Sequence, residues 1–233
     1  MISDPWYKDP MSELPRLDGP SLAPASGGAP DQLAILVHGV GADGNDLLGL
    51  APRFQGALPG ALFLSPHAPF SFDMAPFGYQ WFSIGDFSPE ARLAGVQAAA
   101  PILDAFIDAR LAEHGLGEDR LVLIGFSQGT MMALHVGLRR QRPLAGIVGY
   151  SGMLAGAEAL AGEVRSRPPV LLVHGDADPV IPVHALPAAV AGLEAAGIQV
   201  EPHVCPGLGH GIDAEGVRLG VAFVAGLFGA GGP

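Results

Sequence analysis

The sequence predicts a doubly wound α/β domain built on a mostly parallel sheet. Short, uninterrupted apolar runs alternate along the chain with longer stretches of helical periodicity. Runs of this kind are typical of parallel strands that are covered on both faces by crossover helices. The chain has 233 residues, 49% of them hydrophobic, which is enough for one large core.

Residues 1–30 differ from the rest of the chain because they are rich in Pro, Ser, Gly and Asp. This composition predicts an N-terminal arm, with a possible edge strand near Arg16–Leu22. Residues 31–233 contain no interior linker and are predicted to form a single domain. The first residues, MISDPWYKDP, lack the basic and apolar segments of a signal peptide, so none is expected.

The predicted strands are short apolar runs bounded by turn-forming residues. The first is Leu33–Val37, which lies between Asp31 and Gly39. Their length and their apolar content favour buried strands over helices. The further candidates are Ala61–Leu64, Leu121–Ile124, Gly146–Val148, Val170–Val173 and Ile198–Val204.

The predicted helices lie between these strands. In Pro89–His114 apolar residues recur every three or four positions, Ser88 is placed to cap the helix, and Gly115 ends it. Strand and helix therefore alternate over the whole chain, and functional loops are expected at the carboxyl ends of the strands. The other helical stretches are Gln128–Arg140, His184–Ala196 and Asp213–Leu227.

Composition argues against several functional classes. The formal net charge is −11, and an acidic surface repels nucleic-acid phosphates and anionic lipid headgroups, so no nucleic-acid partner is expected. No apolar run approaches the ~18 residues of a membrane span, so stable membrane insertion is not expected. The single cysteine, Cys205, allows no internal disulfide, which fits a cytoplasmic enzyme. A homo-oligomer is compatible with the sequence, but no feature predicts one.

The segment 125–129 reads Gly-Phe-Ser-Gln-Gly, the G-x-S-x-G pattern. An apolar strand enters it and a helical stretch leaves it, which is the setting of a nucleophile elbow. The glycines suit a tight, strained turn in which neighbouring backbone comes close. Ser127 is therefore the candidate nucleophile. The alternative interpretation is a phosphate-binding or ordinary strand-to-helix turn.

A serine nucleophile needs a base, which is normally a histidine. After an elbow of this kind, the catalytic residues follow one another along the chain in the order serine, acid, histidine. His184, His203 and His210 lie late enough in the chain. His210 is preferred because it lies in the glycine-rich segment 207–211, which can turn back over the end of the sheet. The alternative is that His210 is an ordinary solvated loop residue.

The orienting acid is expected in the segment 174–182, HGDADPVIP, which follows a predicted strand. Asp176 lies closer to the strand, whereas Asp178 precedes Pro179 and is stiffened by it. The residues alone do not decide between the two aspartates.

The segment 38–43, HGVGAD, follows the first predicted strand. A glycine-flanked loop here can offer a backbone N–H to a developing oxyanion, and the N–H of Gln128 would be the second donor. An ordinary glycine-rich loop is the alternative. No H-x-x-x-H or H-E-x-x-H pair occurs, so no metal site is expected.

Taken together, HGVGADGNDL, GYQWFSI, GFSQGTMMAL, HGDADPVIP and GLGHGI resemble the small carboxylesterase, lysophospholipase and acyl-protein thioesterase family of α/β-hydrolases. The resemblance covers about residues 15–228 and implies the α/β-hydrolase fold, with no cofactor. It implies a triad of Ser127, Asp178 and His210, because the family's acid is the second aspartate of G-D-x-D-P. It also implies oxyanion donors at Val40 and Gln128, and an acyl-pocket wall at Trp81. The segment 69–79, PFSFDMAPFGY, departs from the family and predicts a different pocket wall.

The expected function is that of a serine carboxylesterase that acts on small-molecule esters through an acyl-enzyme. An acyl-protein thioesterase or a lysophospholipase is the nearest alternative. A non-catalytic binding member of the fold is another, but every catalytic position is filled. Dienelactone-type hydrolysis is a third, although that chemistry usually places cysteine at the elbow.

The interval between Tyr150 and Val170 is too short for the long cap found in many lipases. It can hold one short helix beside the site. The acyl group is therefore expected in a surface cleft, and short to medium acyl chains are expected as substrates. The predicted walls of this cleft are Trp81, Phe77, Met74, Met153 and Val180.

Overall fold

The computed structural model describes residues 14–229, so the predictions for residues 1–13 lie outside the described residues. Its centre is a seven-stranded sheet in the order β1-β3-β2-β6-β7-β8-β9, in which only β1 pairs antiparallel with its neighbour. A separate hairpin joins β4 and β5. The strands are β1 (Ser21–Leu22), β2 (Gln32–Val37), β3 (Ala61–Leu64), β4 (Phe70–Ser71), β5 (Tyr79–Gln80), β6 (Leu121–Phe126), β7 (Gly146–Tyr150), β8 (Val170–Gly175) and β9 (Val200–Cys205).

Helices cover both faces of the sheet. One face carries α3 to α6, and the opposite face carries α1, α2 and α7. The predicted doubly wound, mostly parallel α/β fold is therefore confirmed. The helices are α1 (Gly44–Leu48), α2 (Ala51–Phe54), α3 (Pro89–His114), α4 (Gln128–Gly137), α5 (Ala157–Glu163), α6 (Ala185–Ala195) and α7 (Ala214–Gly229).

The first predicted strand shows why its apolar run is uninterrupted. In β2, Leu33 and Ile35 pack into the core on one face of the sheet, and Ala34 and Leu36 pack into the core on the other. All four side chains are fully buried. A strand between two helical layers has no solvent face, so its sequence shows no polar alternation.

The predicted arm contributes an edge strand within the range expected for it. The last two residues of that expected range form β1, where Ser21 pairs with Leu64 and Leu22 pairs with Phe63. The strand is shorter than the predicted range Arg16–Leu22. It covers the open edge of β3 and so limits further strand pairing there.

One predicted helix is too long. The stretch Gln128–Arg140 was expected to be helical throughout, but α4 ends at Gly137. Beyond it, the Arg140 guanidinium forms ion pairs with Asp104 and Asp108 of α3. This tertiary contact, together with the turn that leads into β7, outweighs the helical propensity of the last residues.

The parallel arrangement brings the functional loops to one edge of the sheet. In β2 and β6, which are neighbours, Val37 pairs with Gly125, so the loops that follow emerge side by side. In β8 and β9, Gly175 pairs with Cys205 at the same edge. Ligand sites of open α/β sheets lie outside these carboxyl ends.

The interval between β7 and β8 contains one seven-residue helix, α5, as predicted, and no larger cap. Within residues 14–229, no helix has both the length and the apolar character needed to cross a bilayer. The same part of the chain contains no group of three His, Cys, Asp or Glu side chains arranged to hold a metal ion.

Candidate active site

Three side chains from the ends of β6, β8 and β9 form a hydrogen-bonded chain. The His210 imidazole lies 3.0 Å from Ser127 Oγ through Nε2, and 2.7 Å from Asp178 Oδ2 through Nδ1. The Asp178 side chain is fully buried, whereas that of His210 is 18% exposed. The arrangement fits a Ser-His-Asp triad, in which the acid is shielded and the base is open to the substrate.

Ser127 has a backbone conformation that side-chain-bearing residues rarely adopt. Its φ is 53° and its ψ is −117°, and it immediately precedes α4. Its N–H donates to the Tyr150 carbonyl at 2.9 Å, which fixes the turn against β7. Such strain persists only where the surroundings enforce it, and it is expected at a nucleophile elbow.

The two glycines of the elbow are required by close backbone contacts. A Cβ at Gly129 would lie 1.8 Å from the Val37 carbonyl oxygen, and a Cβ at Gly125 would lie 2.6 Å from the Gly129 oxygen. Backbone atoms cannot move aside as a flexible side chain can. The G-x-S-x-G pattern is therefore a packing requirement of the turn as well as a motif.

The carboxylate of Asp178 is fully hydrogen-bonded. Its Oδ1 accepts from the N–H groups of Val180 and Ile181, at 2.8 and 2.9 Å. Burial disfavours its charge, but the hydrogen bonds from His210, Ile181 and Val180 outweigh this effect and lower the pKa of Asp178. The carboxylate is thus ionised at neutral pH and faces the imidazole in one fixed orientation.

The competing aspartate has a different partner. Asp176 is exposed, and its Oδ1 accepts from the Gly207 N–H at 2.6 Å. This bond anchors the start of the loop that carries His210. Among the histidines considered, His203 lies in β9 and His184 immediately precedes α6, and neither is hydrogen-bonded to Ser127.

A second histidine, His174, supports the acid loop, and sequence reasoning did not single it out. Its Nε2–H donates to the Ile181 carbonyl at 2.8 Å, and the same nitrogen lies 3.5 Å from Asp178 Oδ2. The side chain is 1% exposed. Its position at the start of the segment HGDADPVIP was the available signal, because His174 lies at the carboxyl end of β8, the strand that leads into the acid loop.

The two N–H groups predicted as oxyanion donors, those of Val40 and Gln128, have no hydrogen-bond partner among the described residues. Gln128 is the first residue of α4, and an N–H at that position has no partner within its own helix. The positive end of the helix dipole adds to its affinity for negative charge.

The loop that carries Val40 is held in place by the β4–β5 hairpin. The N–H of Gly41 donates to the Tyr79 carbonyl and the N–H of Tyr79 donates to the Ala42 carbonyl, both at 2.8 Å. The hairpin of β4 and β5 therefore fixes this loop by two backbone hydrogen bonds.

His38 fixes the same loop through hydrogen bonds of its two ring nitrogens. Its Nδ1–H donates to the Gly39 carbonyl at 2.7 Å, and its Nε2 accepts from the Ala68 N–H at 2.9 Å. Burial lowers the pKa of His38, although the bond to Gly39 opposes the shift. The ring is thus neutral, with the proton on Nδ1, and it acts as a structural bridge.

Trp81, which the family resemblance implies as a wall of the acyl pocket, has no solvent-exposed surface in the structure. Its side chain is fully buried, and its indole N–H donates to the His38 carbonyl at 3.0 Å. Its backbone N–H donates to Gln128 Oε1 at 2.8 Å, and Gln128 Nε2 donates to the Phe82 carbonyl at 2.8 Å. Trp81 therefore supports, from inside the protein, both segments that are predicted to supply the oxyanion donors.

The other predicted wall residues differ in exposure. Met74 and Phe77, in the β4–β5 hairpin, are 66% and 74% exposed, and Val180, in the acid loop, is 57% exposed. Met153 is half-buried and packs against the core on the α4 side. The hairpin and the acid loop thus present apolar side chains to solvent.

A cleft of about 310 Å³ adjoins the triad, and the sequence did not reveal it. It lies between His210 and the segment of α1. The sequence did not reveal this wall because α1 is too short to show helical periodicity. Its lining residues are Asp46, Leu47, Leu50, Phe126, His210, Gly211 and Ile212.

Comparison with known proteins identifies the family. The pattern of the phospholipase/carboxylesterase family matches residues 24–226. Esterase YpfH of Escherichia coli K12 is 30% identical over 189 residues, which cover 81% of this chain and 79% of that protein. The crystal structure of esterase PE8 is 41% identical, covers 91% of this chain and 100% of its own, and superposes with a TM-score of 0.88.

Acyl-protein thioesterase 2 of Zea mays shares the fold at greater distance. It is 23% identical, covers 90% of this chain and 99% of its own, and has a TM-score of 0.73. The family resemblance read from the five motifs is confirmed by these comparisons. The chain belongs to the phospholipase/carboxylesterase family and is a carboxylic ester hydrolase with the α/β-hydrolase fold.

Proposed function

We propose that the chain hydrolyses short- to medium-chain carboxylic esters through an acyl-enzyme formed on Ser127. The observation that carries this proposal is the hydrogen-bonded chain from Asp178 through His210 to Ser127, with distances of 2.7 and 3.0 Å. A buried, ionised acid holds the imidazole in the tautomer that can accept the serine proton.

Acylation follows from this geometry. As Ser127 Oγ attacks the ester carbonyl, its proton passes to His210 Nε2, while Nδ1–H remains bonded to Asp178. The N–H groups of Val40 and Gln128 stabilise the tetrahedral oxyanion. His210 then protonates the leaving alkoxide, and the C–O bond breaks to release the alcohol.

Deacylation repeats these steps with water. His210 Nε2 takes a proton from the water that attacks the acyl-enzyme, and the same donors stabilise the second oxyanion. Collapse releases the carboxylic acid, and the proton returns to Ser127 Oγ. No step requires a group outside the chain, the ester and water.

The proposed chain-length preference rests on the absence of a cap. The interval between β7 and β8 holds only the seven residues of α5 as helix. A surface site walled by Met74, Phe77, Met153 and Val180 gains about 0.8 kcal/mol per buried CH₂ until its apolar surface is covered. Further methylenes stay in water and add nothing to binding.

The test is hydrolysis of p-nitrophenyl esters from acetate to palmitate, with and without a lipid interface. We expect the highest kcat/KM at short to medium chains, and no increase in rate when the substrate passes its solubility limit. A long-chain optimum with strong activation at the interface would contradict the proposed chain-length preference.

A second candidate is hydrolysis of long-chain thioesters or lysophospholipids. The observation that favours it is the exposure of Met74 and Phe77 on the hairpin that is bonded to the oxyanion loop. These side chains could cover a longer acyl chain. The two candidates can be separated by comparing kcat/KM for four substrates. These are the thioester and the oxygen ester of palmitic acid, and the thioester and the oxygen ester of butyric acid.

The proposed partner is a small-molecule ester in an aqueous compartment. The net charge of −11 disfavours nucleic acid and anionic lipid surfaces. The single cysteine, Cys205, is buried and unpaired, which fits a reducing compartment such as the cytoplasm.

A further inference from the structure

We propose that Asp46 makes the leaving-group side of the site selective for esters of positively charged alcohols over neutral and anionic ones. This inference rests on the proposed ester hydrolysis and adds a substrate class to it. It is carried by the position of the cleft, by the chemistry of its walls and by the unpaired state of the Asp46 carboxylate.

The cleft begins at the catalytic imidazole. His210 and the two residues that follow it line the cleft, as does Phe126, which precedes the nucleophile. The rings of Phe126 and His210 lie against each other with their centroids 4.9 Å apart. An alcohol that is released beside this imidazole therefore has the cleft as a neighbouring space.

The reaction places the alcohol half of the ester on this side. His210 Nε2 must deliver its proton to the leaving oxygen, so that oxygen lies next to the imidazole when the bond breaks. The hairpin side of the site, where Tyr79 is bonded to the oxyanion loop, is left for the acyl half. A volume of about 310 Å³ is large enough for a small branched alcohol.

The walls of the cleft combine apolar surface with one negative charge. Leu47, Leu50, Phe126 and Ile212 all pack against the core on the α7 side, and no Lys or Arg lines the cleft. Asp46 is exposed in α1, and its carboxylate makes no hydrogen bond or ion pair with residues 14–229. An apolar cation, such as a quaternary ammonium group, matches both features.

The expected effect is moderate because Asp46 is exposed to solvent. Water and salt screen an exposed charge, so one carboxylate at the rim changes relative rates by about 2- to 5-fold rather than by orders of magnitude. An anionic alcohol is disfavoured by the same interaction with the sign reversed.

The experiment compares two isosteric esters, butyrylcholine and 3,3-dimethylbutyl butyrate, which differ in one positive charge. The readout is the ratio of their kcat/KM values, measured at a fixed ionic strength of about 0.15 M, where the Debye length is about 8 Å. Use of a ratio cancels any effect of a variant on the triad itself. We expect Asp46→Asn to lower the ratio by about 2- to 5-fold, and Asp46→Lys to lower it further.

The matched control is Glu201→Gln. Glu201 is exposed on the edge strand β9 and does not line the cleft, yet its substitution changes the net charge by the same amount. We expect this variant to keep the wild-type ratio. The control therefore separates the local effect of Asp46 from the attraction of cations by an acidic protein as a whole.

Three results would overturn the inference. Equal ratios in wild type and Asp46→Asn would do so, as would an equal fall in Glu201→Gln. A wild-type enzyme that hydrolyses p-nitrophenyl butyrate but prefers the neutral ester over butyrylcholine would also overturn it, while leaving the proposed esterase function intact. By contrast, loss of hydrolysis of every ester would contradict the proposed function itself.

Discussion

The Trp81 indole N–H donates a 3.0 Å hydrogen bond to the His38 carbonyl, and so ties the end of the β4–β5 hairpin to the loop that carries Val40. Trp81 also donates its backbone N–H to the side chain of Gln128. One buried residue thus connects the segments that supply both proposed oxyanion donors. This makes the position of those donors sensitive to a residue that is not exposed to substrate.

Trp81→Phe should therefore lower both stability and turnover. The substitution removes the indole donor and leaves the buried His38 carbonyl without that partner, at a cost of about 1–3 kcal/mol. For a chain of this size, that cost lowers Tm by roughly 2–12 °C. We expect kcat for p-nitrophenyl butyrate to fall about tenfold, with a smaller change in KM. A lower Tm with unchanged kcat would show that Trp81 supports the fold but not the oxyanion site.

The two aspartates of the acid loop should separate clearly. Asp178→Asn removes the charge that orients His210, and we expect kcat to fall by about 10²–10⁴-fold. Asp176→Asn keeps an oxygen that can accept from Gly207, so we expect a loss of less than tenfold. Steady-state kinetics of the two purified variants are the measurement. The opposite ranking would mean that Asp176 is the acid.

A side chain at the second glycine of the elbow should disrupt the turn. In Gly129→Ala the added Cβ would lie 1.8 Å from the Val37 carbonyl oxygen, so β2 and α4 must separate. We expect a loss of stability of about 3 kcal/mol or more, with little residual activity. The control is Gly162→Ala in α5, where nothing lies within 4 Å and alanine favours the helix. Similar melting temperatures for the two variants would refute the packing argument.

The pH dependence should report the base alone. A general base must be neutral to accept a proton, so kcat/KM should fall as the pH decreases. Because hydrogen bonding lowers the pKa of Asp178, its carboxylate stays ionised throughout this range and adds no second proton to the acid limb. The measurement is kcat/KM from about pH 5 to 9 at constant ionic strength. A flat profile between about pH 5 and 8 would argue against a histidine base.

The helices and strands that could be predicted from the sequence are those marked by local sequence patterns. The bounds of α3 agree at both ends, because Ser88 Oγ accepts from the Ala91 N–H and Gly115 has a φ of 65°. The buried strands were visible because both of their faces are apolar. By contrast, α1 and α2 have five and four residues, which is too short to show periodicity. The two-residue strands of the β4–β5 hairpin gave no signal for the same reason.

The site could be predicted in part, for a related reason. Ser127 lies in a local motif, and its strained turn follows from the glycines around it. The choice between Asp176 and Asp178 depends on which carboxylate reaches His210, a contact between separate loops that spacing does not reveal. The burial of Trp81 and the cleft beside Asp46 likewise depend on how distant segments pack. These features became visible only when the loops were placed at one edge of the sheet.

The central claim is that Ser127 is a nucleophile activated by His210, and covalent labelling tests it most directly. The wild-type protein should react with a fluorophosphonate probe, and peptide mass spectrometry should locate the adduct on Ser127. In Ser127→Ala we expect no labelling, a fall in kcat of about 10³-fold or more, and an unchanged circular dichroism spectrum. An adduct on another residue, or near-normal hydrolysis by Ser127→Ala, would contradict the account.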